Sequence, residues 1–238
     1  MATAGSTDAI DELMRLCLQL KDAQGGIHIP DFYEGVTQPP HIEDALRDVL
    51  KDESYYLKQT GAYELKGEYG YDSAERRWYR PTLEFNGIKG GYIETGMKTV
   101  IPASASVKLS MRLVDGQHPD AIIARLRKYL GSIIPKTFQW EFKDYHGALP
   151  LHVNHHTPML MRLKTAIESE FGRSASLHGE GGSIPIMSHF QKVCGVDPLM
   201  LGLGLSTDCI HAPNEHFYLP HCKQGAAVIS RFLLDLDH

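Results

Sequence analysis

Two stretches of this chain hold residues of chemical use. HGEGGSIPI, residues 178–186, sets Gly181 and Gly182 ahead of Ser183 at the mouth of a helix. Glycines let a backbone come close to a ligand, and a serine at the N-cap adds a hydroxyl to the free N–H groups, so the arrangement suits a carboxylate or phosphate. An ordinary capped helix after a tight turn would use the same residues. Further on, IHAPNEHF, residues 210–217, holds His211 in a loop that Pro213 keeps from becoming helical, because proline disfavours helix for the preceding Ala212. A neutral imidazole on a rigid loop is a natural metal ligand, and a solvated loop histidine is the competing reading. His211 and Glu215 have i,i+4 spacing but no helix beneath them to place them on one face. His155, His156 and His216 read as solvated surface. The chain carries no HExxH, P-loop or GxSxG motif.

The elements that must position these residues fall into two groups. DAIDELMRLCLQLKD carries Ile10, Leu13, Leu16, Cys17 and Leu20 at helical spacing, with Thr7 or Asp8 as N-cap, which predicts a helix over about 8–21. A turn-rich loop follows, then a second helical pattern in HIEDALRDVLKDESYYLKQ. RPTLEFNGIKGGY and TVIPASASVKLSMRLVDG read as strands. In the latter Val107, Leu109, Met111 and Leu113 alternate with Ser106, Lys108, Ser110 and Arg112, so Arg112 points away from the apolar face. HPDAIIARLRKYLG predicts a helix opened by Pro119 and closed by Gly131, and TFQWEFKDYHG a further strand. Two helices on one face of a small sheet make an α+β sandwich. Near 151–157 the pattern changes. Thr157-Pro158 opens a helix running to Gly172, a helix follows from Ser183, PLMLGLGL reads as a buried strand of a largely parallel sheet, and KQGAAVISRFLLDL closes the chain as a helix. One strand and three helices cannot cover themselves, so this second group is part of an α/β domain.

The 238 residues suffice for one large domain or two small ones. Twenty-four Lys and Arg against 29 Asp and Glu, dispersed along the chain, leave a formal charge of -5, which argues against a nucleic-acid or anionic-membrane partner and for a small molecule or another protein. The opening residues lack signal-peptide character, and no apolar run is long enough to span a membrane. Cys17, Cys194, Cys209 and Cys222 have neither CxxC spacing nor scaffold density, so free thiols in the cytoplasm are expected.

Four blocks, KDAQGGIHIPDFYEGV, NGIKGGYIETGMKTVIPASASVKLSMRLVDGQ, GEGGSIPIMSHF and GLGLSTDCIHAPNEHF, occur in this order, and together the chain resembles the carnosinase and carboxypeptidase-G-like family of dinuclear zinc metallopeptidases. The resemblance implies a two-layer lid or dimerisation domain over 1–152 and the C-terminal segment of the α/β catalytic domain over 153–238. It implies His211 as a zinc ligand, and Thr99, Arg112, Gly181, Gly182 and Ser183 as substrate-binding positions. The implied reaction is hydrolysis of the amide bond of a dipeptide or N-acyl amino acid with a free carboxylate, by metal-activated water, in a homodimer joined through the lid. Many relatives have arginine where this chain has Gly179, which removes a bidentate carboxylate partner.

By the same resemblance, the family's HxD ligand pair, bridging aspartate, paired glutamates and lid histidine would lie before Met1, and MATAGSTDA does not replace them. No catalytic residue is therefore assigned here. One imidazole is too few ligands for two zinc ions, so the chain alone is expected to bind zinc poorly and to be inactive. A naturally truncated, non-catalytic dimerisation or regulatory module is the competing reading.

Overall fold

A computed structural model of the chain describes residues 7–37, 53–54, 57–58, 61–145, 147–177, 179, 181, 184–205 and 207–237. They divide into two compact units, one containing residues up to Leu151 together with Gly179–Ser188, the other His152–His178 with His189–His238.

The first unit begins with α1, Ala9–Leu20. Asp8 is its N-cap: the carboxylate accepts from the N–H groups of Ile10 (2.8 Å) and Asp11 (3.3 Å), satisfying two of the donors a helix start leaves open. The helix buries Leu16 and Leu20 and ends where Lys21 turns extended and bridges to Ile27. The helix expected over 41–59 lies mostly outside the described residues; of it Glu53, Ser54, Leu57 and Lys58 are described, and Leu57 N–H donates to Glu53 O at 3.0 Å. A short α2, Ser73–Trp78, follows, fixed by a capping box in which Asp72 accepts from Glu75 N–H and Glu75 accepts from Asp72 N–H.

The sheet consists of β1, Thr82–Gly90, and β2, Ala105–Arg112, paired antiparallel from Thr82 opposite Arg112 to Gly90 opposite Ala105, with a bulge between Phe85 and Gly87. Along β2 Val107, Leu109 and Met111 are half-buried while Ser106, Lys108, Ser110 and Arg112 are exposed, the alternation read from the sequence. α3, Pro119–Ile133, runs past Gly131. Gly131 is not among the positive-φ glycines that would end a helix; the stop is Pro135, which holds Ile134 extended. The core joins Leu20, Ile27, Ile29, Phe32, Leu83, Ile122 and Leu126, so α1, the loop after it, the hairpin and α3 share one apolar interior. Gly35 and Gly116, both exposed and at φ +84, approach so closely that a Cβ on either would meet the other's carbonyl oxygen at 2.4 Å or less. Arg80 closes one side, its guanidinium bidentate to Glu68 (2.6 and 2.7 Å) and stacked 4.1 Å from the Tyr71 ring centroid.

In the second unit Thr157 caps α4, Pro158–Phe171, and Gly172 closes it at φ 66, as the sequence signals require. Of α5, Pro185–Cys194, the residues up to Ser188 group with the first unit and the rest with the second; Ser183, its expected N-cap, lies outside the described residues. α6, Leu219–Leu234, starts a turn earlier than the KQGAAV run because Pro220 suits a first turn. α4 and α6 pack through Leu163, Ala166 and Val228.

Two expected strands do not form. Residues 137–145 and 198–205 have no ladder partner among the described residues. A strand is defined by its neighbour, and apolar composition alone supplies none. Residues 198–205 keep the alternation of a half-buried strand rather than a doubly buried one. Leu199 and Leu201 pack on the helix pair, while Met200, Gly202 and Gly204 are exposed.

Candidate functional site

Arg112 is the last residue of β2 and stands exposed on the face opposite the core. Its backbone is fixed by the ladder against Thr82, and its neighbours Met111 and Leu113 pack against the core. The side chain's direction is thus set by the strand period and its base by the core. Thr99 is exposed in the irregular connection 91–104 that leads into the other end of β2. The first unit's larger hollow, about 660 Å³, runs along α3 between Asp120, Arg127 and Trp140. A smaller one of about 290 Å³ lies at the hairpin end between Lys89, Ile93 and Ser104. Neither contains Thr99, Arg112 or Gly181.

The glycine run has a neighbour that the sequence does not reveal. A Cβ on Gly181 would lie 2.3 Å from the carbonyl oxygen of Arg77, and one on Gly179 would lie 2.6 Å from Cβ of Trp78. The close approach these glycines permit is therefore to the end of α2 within the first unit. Trp78 also accounts for glycine at position 179, since any side chain there, arginine included, would displace it. Gly182 and Ser183 lie outside the described residues.

In the second unit His211 is exposed and sits at φ 63, in a turn where Cys209 (φ 53) and Asn214 (φ 64) are also left-handed. Three non-glycine residues in that region within six positions need strong local ties. Ala212 N–H donates to Cys209 O (2.9 Å), His216 N–H to Asp208 O (3.0 Å) and Asp208 N–H to Leu205 O (3.1 Å). The carboxylate of Asp208, only 2% exposed, accepts from Leu205 N–H at 2.7 Å. The turn is not helical, in keeping with Pro213, so no helix places Glu215 on a face with His211. The His216 ring meets Asn214 O at 2.9 Å, and His155 and His156 are exposed before α4, as read from the sequence.

Asp208 was not singled out by its sequence pattern. Its one visible signal is a carboxylate three residues before the histidine in a segment otherwise rich in apolar residues.

An exposed imidazole on a rigid turn is suited to be one metal donor. Among the described residues no group of three or more His, Cys, Asp or Glu is placed to hold a metal ion, so His211 does not make a metal centre with its own neighbours. Elsewhere in this unit Asp197 accepts from Asn154 N–H (3.0 Å) and from the Gln191 amide (2.6 Å), which also donates to His152 O (2.7 Å). The Asn154 bond first, then Gln191, holds the Asp197 carboxyl below the usual carboxylate range.

In the first unit α1 and α3 share one apolar core with the β1–β2 hairpin, and the residues of β2 that face away from it are Ser106, Lys108, Ser110 and Arg112. The chain belongs to the peptidase dimerisation domain family of the M20 peptidases, whose sequence profile matches residues 3–137. Along nearly its full length it is similar to two kinds of dipeptidase. It is 27% identical to the Beta-Ala-His dipeptidase of Mus musculus over 95% of this chain and 47% of that protein. It is also 27% identical to the Cys-Gly metallodipeptidase of Candida albicans, again over 95% and 47%. The chain thus spans about half the length of the curated relatives it matches. Its fold is shared with an M20 family metallo-carboxypeptidase of Sulfolobus solfataricus (TM-score 0.80, 23% identity, 96% of this chain and 52% of that one). It is shared also with human carnosine dipeptidase 1 (TM-score 0.74, 24% identity, 98% and 50%).

Proposed function

We propose that this chain is the lid and an adjoining catalytic segment of a zinc-dependent dipeptidase that hydrolyses the amide bond of a dipeptide or N-acyl amino acid with a free carboxylate. The observation that carries the reading is coverage: dipeptidases named for two different substrates align along 95% of the chain, through both units rather than one. In this reading residues 1–152 are the lid and 153–238 belong to the catalytic domain. Arg112 supplies a fixed cation for the substrate's carboxylate, a charge-assisted contact that a strand end holds in place. Thr99 and the Gly181, Gly182, Ser183 run add neutral contacts, and Gly179 leaves Arg112 to act without a second arginine. His211 is one zinc ligand, the remaining ligands lying outside these 238 residues. Zinc, when bound, would supply an activated water; what this chain does is orient substrate and hold one donor. Two copies pair through the lid, where a two-stranded hairpin offers an open edge. Four free thiols suit a cytoplasmic, reducing setting.

The test is an assay of the purified chain against dipeptides and N-acyl amino acids with added zinc, alone and mixed with the other half of a full-length relative. Alone, it gives no turnover above background. The assembled mixture gives turnover that a chelator removes. Sustained turnover by the chain alone would overturn the division of the site, and a folded, assembled but inert mixture would overturn the dipeptidase reading. Sedimentation of the same samples at about tens of micromolar should show a dimer, and a strict monomer would contradict pairing through the lid.

A further inference from the structure

Asp208 stands out among the groups the proposed function does not use. It is an acid at 2% exposure whose hydrogen bonds among the described residues are to backbone groups, and its Oδ1 is buried without a donor among those residues. Burying a carboxylate in this way is unfavourable unless its position does something that a small apolar residue would not. What it does is visible in its bonds. Oδ2 holds Leu205 N–H at 2.7 Å, its own N–H reaches Leu205 O at 3.1 Å, and its carbonyl holds His216 N–H at 3.0 Å. One residue therefore ties the entry of the turn at 205 to its exit at 216. Between those ties lie Cys209, His211 and Asn214, all left-handed, a backbone that reverts to commoner conformations once its ends are released.

We propose that Asp208 is the positioning residue of the His211 turn. It acts through the placement of one carboxylate oxygen rather than through its charge, and it sets the conformation from which His211 presents its imidazole. The functional meaning rests on His211 being a metal donor; the positioning itself does not.

Charge and placement separate cleanly in two substitutions. Asp208→Asn keeps an oxygen at the same reach from Leu205 N–H and removes the charge. Asp208→Glu keeps the charge and moves it one methylene away. The purified chain, isotopically labelled, is read in three ways: the three-bond coupling from His211 Hα to the preceding carbonyl carbon, which distinguishes left-handed from ordinary backbone; its ring resonances; and amide exchange at Leu205 and His216. The expected result is that Asn retains the native His211 coupling and ring shifts, while Glu loses them and speeds exchange at both amides by about ten-fold or more. Amides in α4, remote from the turn, report whether each variant remains folded. If Glu keeps the native His211 signature, or Asn loses it while α4 stays protected, placement of the oxygen is not what holds the turn and the proposal fails. No metal or substrate enters these measurements. A failure here leaves the dipeptidase reading standing, and a failure of that reading leaves Asp208's role at the turn testable by the same spectra.

Discussion

The first unit encloses a larger apolar core than the second. In the first, seven buried residues from α1, the following loop, the hairpin and α3 meet in one interior. In the second, three buried residues join α4 to α6, while Met200, Ile210, Phe217, Leu219, Leu233 and Leu234 are all at least 45% exposed. Both units also leave large apolar side chains exposed, Leu18, Ile88, Ile93 and Met97 in the first among them. The difference teaches that the candidate residues stand on unequal foundations. Arg112 rises from a strand anchored in the larger core, whereas the His211 turn is held chiefly by hydrogen bonds around Asp208.

The contrast can be broken by cavity formation. Leu83 is fully buried and Leu163 is 5% exposed. Leu83→Ala should destabilise the first unit by about 3–5 kcal/mol and Leu163→Ala the second by about 2–3 kcal/mol, because a less tightly enclosed site relaxes around the lost methyls. Both tryptophans, Trp78 and Trp140, lie in the first unit, so fluorescence in urea reports that unit and amide exchange in α4 reports the other. Equal losses would erase the distinction.

A smaller effect sharpens it, using one carboxylate from each unit. Asp22 is held below the ordinary range first by the Gly26 N–H, against some desolvation, with help from His28. Asp197 is held below it first by the Asn154 N–H and then by Gln191. A carboxyl whose folded pKa is depressed contributes stability that is complete above its unfolded value, about 4, and is lost as pH falls through the folded one. Asp22→Asn should therefore flatten the acid limb of stability in the first unit only, and Asp197→Asn in the second only. Melts followed by unit-specific amide exchange between about pH 2 and 5 check this. A variant that flattened both limbs would mean that the two units unfold as one.

How much of this was legible in the sequence depended on how local the cause was. α1 and α4 were readable because their stops and starts are chemical: Asp8 caps one, and Thr157, Pro158 and Gly172 bound the other. The outward direction of Arg112 followed from alternation along β2. Residues 137–145 and 198–205 were misread because pairing depends on a partner that composition does not show. Gly181 was read as making room for a ligand and Gly179 as the loss of an arginine, when the group that both admit in this unit is the end of α2, about a hundred positions away. The loop character of His211 was visible through Pro213; its left-handed backbone and its dependence on Asp208 were not, since burial of an acid is settled by packing.

The proposal that Arg112 binds substrate while His211 holds zinc is tested most directly by measuring zinc content beside kinetics in the assembled enzyme carrying either Arg112→Ala or His211→Ala. Arg112→Ala should keep its zinc and lose about 2–4 kcal/mol of transition-state stabilisation, read as a fall in kcat/KM. His211→Ala should lose zinc and activity together. A His211→Ala enzyme with full zinc and normal turnover would show that the turn is structural and that the claim is wrong.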